Sequence, residues 1–441
     1  MRRVLVLVST LLLLAATAAL AQNTDMEALS GVQFNFANPG ARSLAMGGAF
    51  LGLADDASAA EANPAGLTIL RRPEISVEGR NYENVQTFTT GGVYPDALTT
   101  EDFNNYSRRA QLSFASIVLP MGNFAVAGYY HQPLDYQILL ETASSAFTDL
   151  NPVTFYLGPN GPVSSDQCAN LGADCLEYNL NPFGSVVDVS MKTAGVALAW
   201  KMGNLSLGVA GRYQKFNETA LTLRADPNGN LLSIIAQQAK DEHDTTFTGG
   251  FKWAPSDRFS LGGVYKQGPS FKTDLSFADL TTSNGFQHFA NPMFHVPDIA
   301  GVGISYRPIP VLTINVDVDD VMYSNLVDDM VVINPDPQLQ GKDFKMDDAT
   351  EVHVGGEYFF ATKIPFAVRA GWWRDPAHQM KYSGPLQSAE QVAAAIIFPG
   401  GQDENHYSVG FGLAWPRFQV DAAYETSDRY KVGSVSIVTR F

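Results

Sequence analysis

"NLSLGVAGRYQKF", Asn204 to Phe216, alternates at every step. Leu205, Leu207, Val209, Gly211 and Tyr213 fall on one side, and Ser206, Gly208, Ala210, Arg212 and Gln214 on the other. Successive side chains of an extended chain point to opposite faces, so the segment reads as a strand with one apolar face and one small or polar face. "FSLGGVYKQ" repeats the split, with Phe259, Leu261 and Tyr265 opposite Lys266. "IPFAVRAGWW" does so again, with Phe366, Val368 and Trp372 opposite Arg369. An apolar outside and a polar inside are what a strand needs when lipid lies on one face and a lumen on the other.

The same period-two pattern, bounded by turn residues, recurs in about fourteen segments: 73–88, 108–119, 123–140, 185–201, 203–225, 243–254, 257–276, 296–307, 310–323, 350–361, 364–374, 404–415, 417–427 and 432–441. Short joints follow the even-numbered segments, at Pro120, Lys201, Ala254, Arg307, Ala361 and Trp415. Long joints, at 141–184, 226–242, 277–295, 324–349 and 375–403, follow odd ones. Sorting by parity is expected where a membrane distinguishes the two ends of a barrel. Trp200, Trp253, Tyr358 and Trp415 near segment ends suit interfacial girdles. The fold class expected is therefore all-β: a transmembrane antiparallel β-barrel of about fourteen strands, spanning 73–441.

The first residues, "MRRVLVLVSTLLLLAATAALAQ", carry Arg2 and Arg3, an apolar run and the ending Ala19-Leu20-Ala21. That is the pattern of a secretory signal peptide over 1–21, with cleavage expected before Gln22. Its apolar core is shorter than the roughly 18 to 20 residues of a spanning helix. A formal charge of −16 argues against a nucleic acid or an anionic surface as partner. Cys168 and Cys175, close together in a polar loop of an exported chain, read as one disulfide. Two ligands are too few for a metal site, and no cofactor is expected. The seven histidines are scattered, with no H-E-x-x-H, no G-x-S-x-G and no P-loop, so no enzyme is expected.

Residues 22–72 precede the first strand and are rich in Gly, Ala, Leu and Phe. They carry helical spacing from Ala41 to Leu53 and then the turn Asn63-Pro64-Ala65-Gly66. A fourteen-strand barrel leaves a lumen unless something fills it, so this segment reads as a plug folded inside.

The chain resembles the FadL/TodX outer-membrane transporters of long-chain fatty acids and other hydrophobic compounds. "GARSLAMGGAFLGLADDASAAEANPAGL" (Gly40 to Leu67) is similar to their N-terminal hatch. "LGGVYKQGPSF" (Leu261 to Phe271) and "VPDIAGVGISYRPIPVLTINVDVDDVMYSNL" (Val296 to Leu326) add to the resemblance. It implies a monomer in the outer membrane of a diderm bacterium, bordered by lipid and lipopolysaccharide. It also implies passive capture of a fatty acid or hydrocarbon by the outer loops and sideways release beside a kinked third strand. Gln132 and Pro133 in "FAVAGYYHQPLDYQILLE" are the matching kink, since Pro133 cannot donate to the ladder; the competing reading is a plain outward extension of the strand. Leu231, Leu232, Ile234 and Ile235 of "NLLSIIAQQAK", at mixed helical spacing, and Phe286, Phe289, Met293 and Phe294 form an expected ligand groove, unless the two loops pack on each other as a lid. Inward Arg212, Lys266 and Arg369 are candidates for a carboxylate head group, with internal pairing to Glu78, Asp317 or Glu357 as the competitor. Barrels with the same style of hatch also resemble partners of protein-secretion systems, which is the alternative function.

Overall fold

The structure, a computed structural model, describes residues 34–141, 153–180, 183–226, 228–289, 292–328 and 339–441. The expected leader, 1–21, and the first residues of the plug lie outside them. The wall strands are β1 (Glu74–Tyr94), β2 (Ala97–Met121), β3 (Phe124–Glu141), β4 (Phe183–Met202), β5 (Leu205–Ala225) and β6 (Leu231–Ser256), then β7 (Phe259–Lys266) and β8 (Ile299–Ile309). They continue as β9 (Leu312–Val321), β10 (Ala349–Phe360), β11 (Phe366–Asp375), β12 (Glu404–Ala414), β13 (Phe418–Thr426) and β14 (Tyr430–Arg440). Each pairs antiparallel with the next, and β14 pairs with β1 from Glu74↔Arg440 to Asn84↔Tyr430. Every wall strand is thus paired on both sides over at least part of its length and the ring closes, the condition for strands to cross a bilayer.

Alternation decides what each face meets. Along β5, Leu207, Val209 and Tyr213 are exposed while Ser206, Ala210, Arg212 and Gln214 are buried. Val196, Val302, Val368, Val409 and Val435 continue the exposed apolar surface around the wall. No soluble monomer tolerates such a belt in water. At the tight-turn end aromatic rings stack in pairs: Phe124 with Trp200, Phe360 with Phe366 and Trp415 with Phe418. These rings sit where an interfacial girdle belongs.

Two elements differ from the sequence reading. The ladder of β1 and β2 runs out to Val93↔Ala97, far beyond residue 88. Residues 231–240, expected as a loop with helical spacing, form the outer half of β6. They are paired to β5 on one side and to a loop strand, Asp274–Asp279, on the other. Ser233, Ile235, Gln237 and Ala239 all point inward, so the period that wins is two; paired backbone groups on both flanks outweigh weak helical spacing.

Inside the ring lies the hatch, with short helices α1 (Ala41–Leu44) and α2 (Ala59–Ala62) and a 3₁₀ helix over Pro64–Ile69. Met46, Phe50, Leu53 and Leu67 pack with Phe114, Val118, Ala127 and Ala197 of the wall. Several inward wall positions are glycine because the hatch backbone passes there. A Cβ at Gly371 would lie 2.1 Å from Gly47 N, and one at Gly208 would lie 2.3 Å from Ala65 N. Above the hatch a second apolar cluster fills the lumen, with Phe216 stacked on Phe271 (4.6 Å) and on Phe294 (4.8 Å).

Candidate functional site

The Asn63-Pro64-Ala65-Gly66 turn anchors the hatch to the wall. Asn63 is fully buried; its Oδ1 accepts from Ala65 N (3.2 Å), and its Nδ2 donates to Leu51 O and to Phe251 O (3.1 Å each). Pro64 opens the 3₁₀ helix, where its fixed φ fits and its missing N–H costs nothing. Gly66 passes so close to Ala54 O that a Cβ would lie 2.2 Å away.

Further contacts fix the other hatch segments. Phe50 N and Leu51 N donate to Asp317 Oδ2 at 2.5 and 2.7 Å, and Gly40 N donates to Glu78 at 2.8 Å. Ser408 Oγ accepts from Gly47 N at 2.9 Å. The hatch is thus tied to strands on all sides of the lumen and closes its axis.

The three inward cations meet protein carboxylates. Arg212 and Lys266 each stand 3.7 Å from Glu61 of α2, and His131 of β3 stands 3.8 Å from it. Burial alone would push the Glu61 carboxyl up, but the Lys266 ammonium foremost, with His131 and Arg212, holds it below the usual carboxylate range. Arg369 bonds Glu357 and Asp421, both at 2.7 Å, and Glu357 in turn accepts from Arg42 of α1 at 2.9 and 3.0 Å. Of the competitors read from sequence, Glu357 is the one engaged. Glu61, the partner of the other two cations, was missed; its signal was a lone carboxylate in the alanine-rich run of α2.

The expected ligand groove is divided. Phe294 joins the central apolar cluster, flanked by the half-buried Met293. Ile235 and Phe289 pack with Leu275 and Phe277 in a small cluster of the outer sheet. Ile234 and Leu232 are half-buried on the other face of β6, while Leu231 and Phe286 are exposed to 42% and 54%. No single groove therefore collects all eight.

Between the hatch and the central cluster lies a cavity that no sequence motif announced. Phe36, Leu44, Leu51, Val264, Val321, Tyr323 and Trp373 line it, together with Lys266, Asp319, Glu351, His353 and Glu425. Tyr323 stacks on His378 at 3.6 Å, and both donate to Phe34 O at 2.9 Å, laying the 34–38 arm across the cavity. Trp373 stacks between His353 (5.1 Å) and His406 (3.9 Å). These aromatics come from β10 to β12 and the outer loops, and only closure of the ring brings them together.

At the kink, the pairing of β2 with β3 ends. β2 and β3 pair from Met121↔Phe124 to Phe114↔His131. Beyond that pair, among the described residues, β2 continues along β1 only and β3 along β4 only. The β3–β4 register shifts between His131 and Leu134, so Gln132 and Pro133 bulge out of the ladder. Gln132 closes the bulge locally, accepting from Tyr130 OH at 2.9 Å and donating to Asp135 at 2.5 Å. His131, the last paired residue, is also a neighbour of Glu61, so the foot of the seam touches the hatch.

Cys168 and Cys175 are bonded, with Cα atoms 5.4 Å apart, in an outer loop with helix α3 (Ser165–Leu171). They stand apart from the cavity and the seam.

A closed antiparallel wall of fourteen strands, an apolar outer belt and a lumen blocked by an N-terminal hatch define a plugged transmembrane-type β-barrel. No protein-family model matches the chain, and no curated protein is significantly similar to it in sequence. Solved structures are similar in backbone. A Pseudomonas aeruginosa FadL homologue is 16% identical over 93% of this chain and 99% of its own, with a TM-score of 0.57. The toluene transporter TbuX of Ralstonia pickettii is 14% identical over 92% and 99%, with a TM-score of 0.56. The toluene transporter TodX of Pseudomonas putida is 12% identical over 92% and 99%, with a TM-score of 0.54. At these identities the likeness fixes the fold: the chain has the FadL/TodX-type barrel.

Proposed function

We propose that the protein is a passive channel of a diderm outer membrane, monomeric and without enzymatic activity, which takes up hydrophobic small molecules and releases them sideways into lipid. The observation that carries the reading is the unpaired β2–β3 seam, whose foot touches a hatch that blocks the axis. An apolar solute leaving there exchanges a lumen lined by aromatic rings for hydrocarbon and never crosses the hatch. The solved relatives in fold described as toluene transporters and a FadL homologue support the same class of cargo. The expectation of a fatty-acid head group rested on Arg212, Lys266 and Arg369, whose charges are engaged by Glu61, Glu357 and Asp421. The cargo proposed is accordingly defined by its apolar body.

Ser113 and Gln132 follow directly on the last pair, Phe114↔His131, each at a bulge in the ladder on its other side. The double variant Ser113→Cys/Gln132→Cys, oxidised in whole cells, is expected to lose uptake of a labelled hydrophobic compound and to regain it with reductant. Undiminished uptake by the oxidised, cross-linked protein would exclude the seam as the exit.

A further inference from the structure

We infer that the arm over residues 34–38 is a latch on the cavity that answers to pH: an imidazolium at His378 holds it down, and loss of that proton frees it. What the freed arm does for cargo rests on the uptake reading above; the latch itself does not. The arm has no regular secondary structure and is pinned at two places. At Asn38, Arg80 donates to the carbonyl at 2.6 Å, Lys266 donates to Oδ1 at 3.1 Å, and Nδ2 donates to Gly48 O at 3.4 Å. At Phe34 the carbonyl accepts from Tyr323 OH and from His378 Nε2, each at 2.9 Å. Between the pins the arm fills apolar space. Phe34 stands edge-on to Phe294 at 6.1 Å, and Phe36 lies 6.3 Å from Tyr323 and lines the cavity.

The two pins depend on different chemistry. The Arg80 guanidinium at Asn38 is charged at every working pH. His378 has an acceptor at each ring nitrogen: Nε2 meets Phe34 O, and Nδ1 meets Pro376 O at 2.9 Å and Asp375 Oδ1 at 3.1 Å. A neutral imidazole carries one N–H, so only the imidazolium serves both sides. On deprotonation the Asp375 carboxylate keeps the remaining proton on Nδ1, because a hydrogen bond to a charged acceptor is the stronger one. Phe34 O then faces a ring lone pair and loses its bond to His378. The stacking of His378 on Tyr323, at 3.6 Å, loses its cation–π attraction in the same step. Burial lowers the His378 pKa, but Asp375 at the end of β11 and Glu351 of β10 raise it by more, so the net shift is upward from 6.5. Glu351 also stands 3.2 Å from Tyr323 OH and 3.3 Å from His353. On the far side of Asp375 lies His406 of β12 at 3.8 Å, with Glu404 and Glu425 at 3.9 and 3.2 Å from it. A pKa raised in the latched state gives a contribution fully present below the ordinary value, about 6.5, and lost as the pH rises through the latched value. The arm is therefore held in acid and freed on the alkaline side.

A nitroxide on Asn35→Cys reads the arm directly, in the full protein in nanodiscs, where Cys168 and Cys175 are bonded to each other and take no label. Its mobile fraction by electron paramagnetic resonance is expected to rise roughly tenfold from about pH 6 to about pH 9, the factor that one pKa unit between latched and free imidazole supplies. His378→Gln keeps an N–H donor for Phe34 O but does not titrate, and is expected to abolish the step. Tyr323→Phe is expected to raise the mobile fraction at every pH and to keep the step. A wild-type spectrum constant across that range overturns the inference. So does a step that survives in His378→Gln, which would belong to His353 or His406. Uptake of a labelled hydrophobic compound by whole cells is expected to rise with the same step in the wild type and not in His378→Gln. Uptake indifferent to a freed arm overturns its hold on the cavity, whereas no uptake at either pH counts against the uptake reading and leaves the spin-label titration to decide the latch.

Discussion

Glu61 sits at the point where hatch and wall exchange charge: Arg212 of β5 and Lys266 of β7 converge on it, with the His131 imidazole of β3 beside them. A folded-state pKa held below the ordinary value contributes stability that is fully present above the unfolded pKa, about 4.3, and is lost as the pH falls from there toward the folded value. The protection of hatch amides against hydrogen exchange, relative to the intrinsic rate at each pH, is therefore expected to fall below about pH 4 in the wild type. Glu61→Gln is expected to remove that acid limb and to weaken hatch docking at neutral pH by about 3–5 kcal/mol, because the cations stay buried without their counter-charge. A Glu61→Gln protein with the wild-type exchange profile at both pH values would show that the node does not hold the hatch. The node was half legible in the sequence. Alternation placed Arg212 and Lys266 inward, but their partner comes from an irregular segment whose path through the lumen no periodicity describes.

Among the elements, the hatch and the inward glycines of the wall depend on each other. Backbone runs against backbone at Gly208, Gly262, Gly355 and Gly371, at distances no Cβ tolerates. Gly371→Ala is expected to displace Met46–Gly47 and to destabilise hatch docking by about 1–3 kcal/mol, an overpacking cost. Limited proteolysis of the hatch in the folded barrel measures it. Gly433→Ala on β14, where an added Cβ meets nothing within 4 Å, is the control and should match the wild type. In sequence these glycines read only as small residues on the lumen face. The outer half of β6 shows the opposite limit: Leu231, Leu232, Ile234 and Ile235 suit either period, and only pairing with β5 and Asp274–Asp279 decides between them.

For the molecule as a whole, the apolar belt and the seam imply a lipid surround. Val302 of β8 is 54% exposed on the outer face, with Ile304 and Val318 close by on the same surface. Val302→Arg is expected to cost about 2–4 kcal/mol if that position lies at the bilayer midplane. Folding into bilayers of defined composition, followed by heat-modifiable gel migration, gives the measurement. A folding free energy unchanged from the wild type would place Val302 outside the hydrocarbon. The uneven wall follows from the same surround: β8 to β14 have 9–12 residues each, whereas β2 and β6 have 25 and 26 and must project past the membrane.

The sequence by itself determined the all-β barrel, its strand count and the faces of the three segments read for alternation, because side-chain alternation and turn chemistry act over a few residues and are written locally. Tertiary structure alone decided that Arg212, Lys266 and Arg369 are engaged by carboxylates, that the expected groove is divided, and that the cavity is lined by carboxylates and aromatics. It alone decided that β2 and β3 part above Phe114 and His131. Each of these depends on which residues meet across a closed ring, and a contact between positions hundreds of residues apart has no local signature.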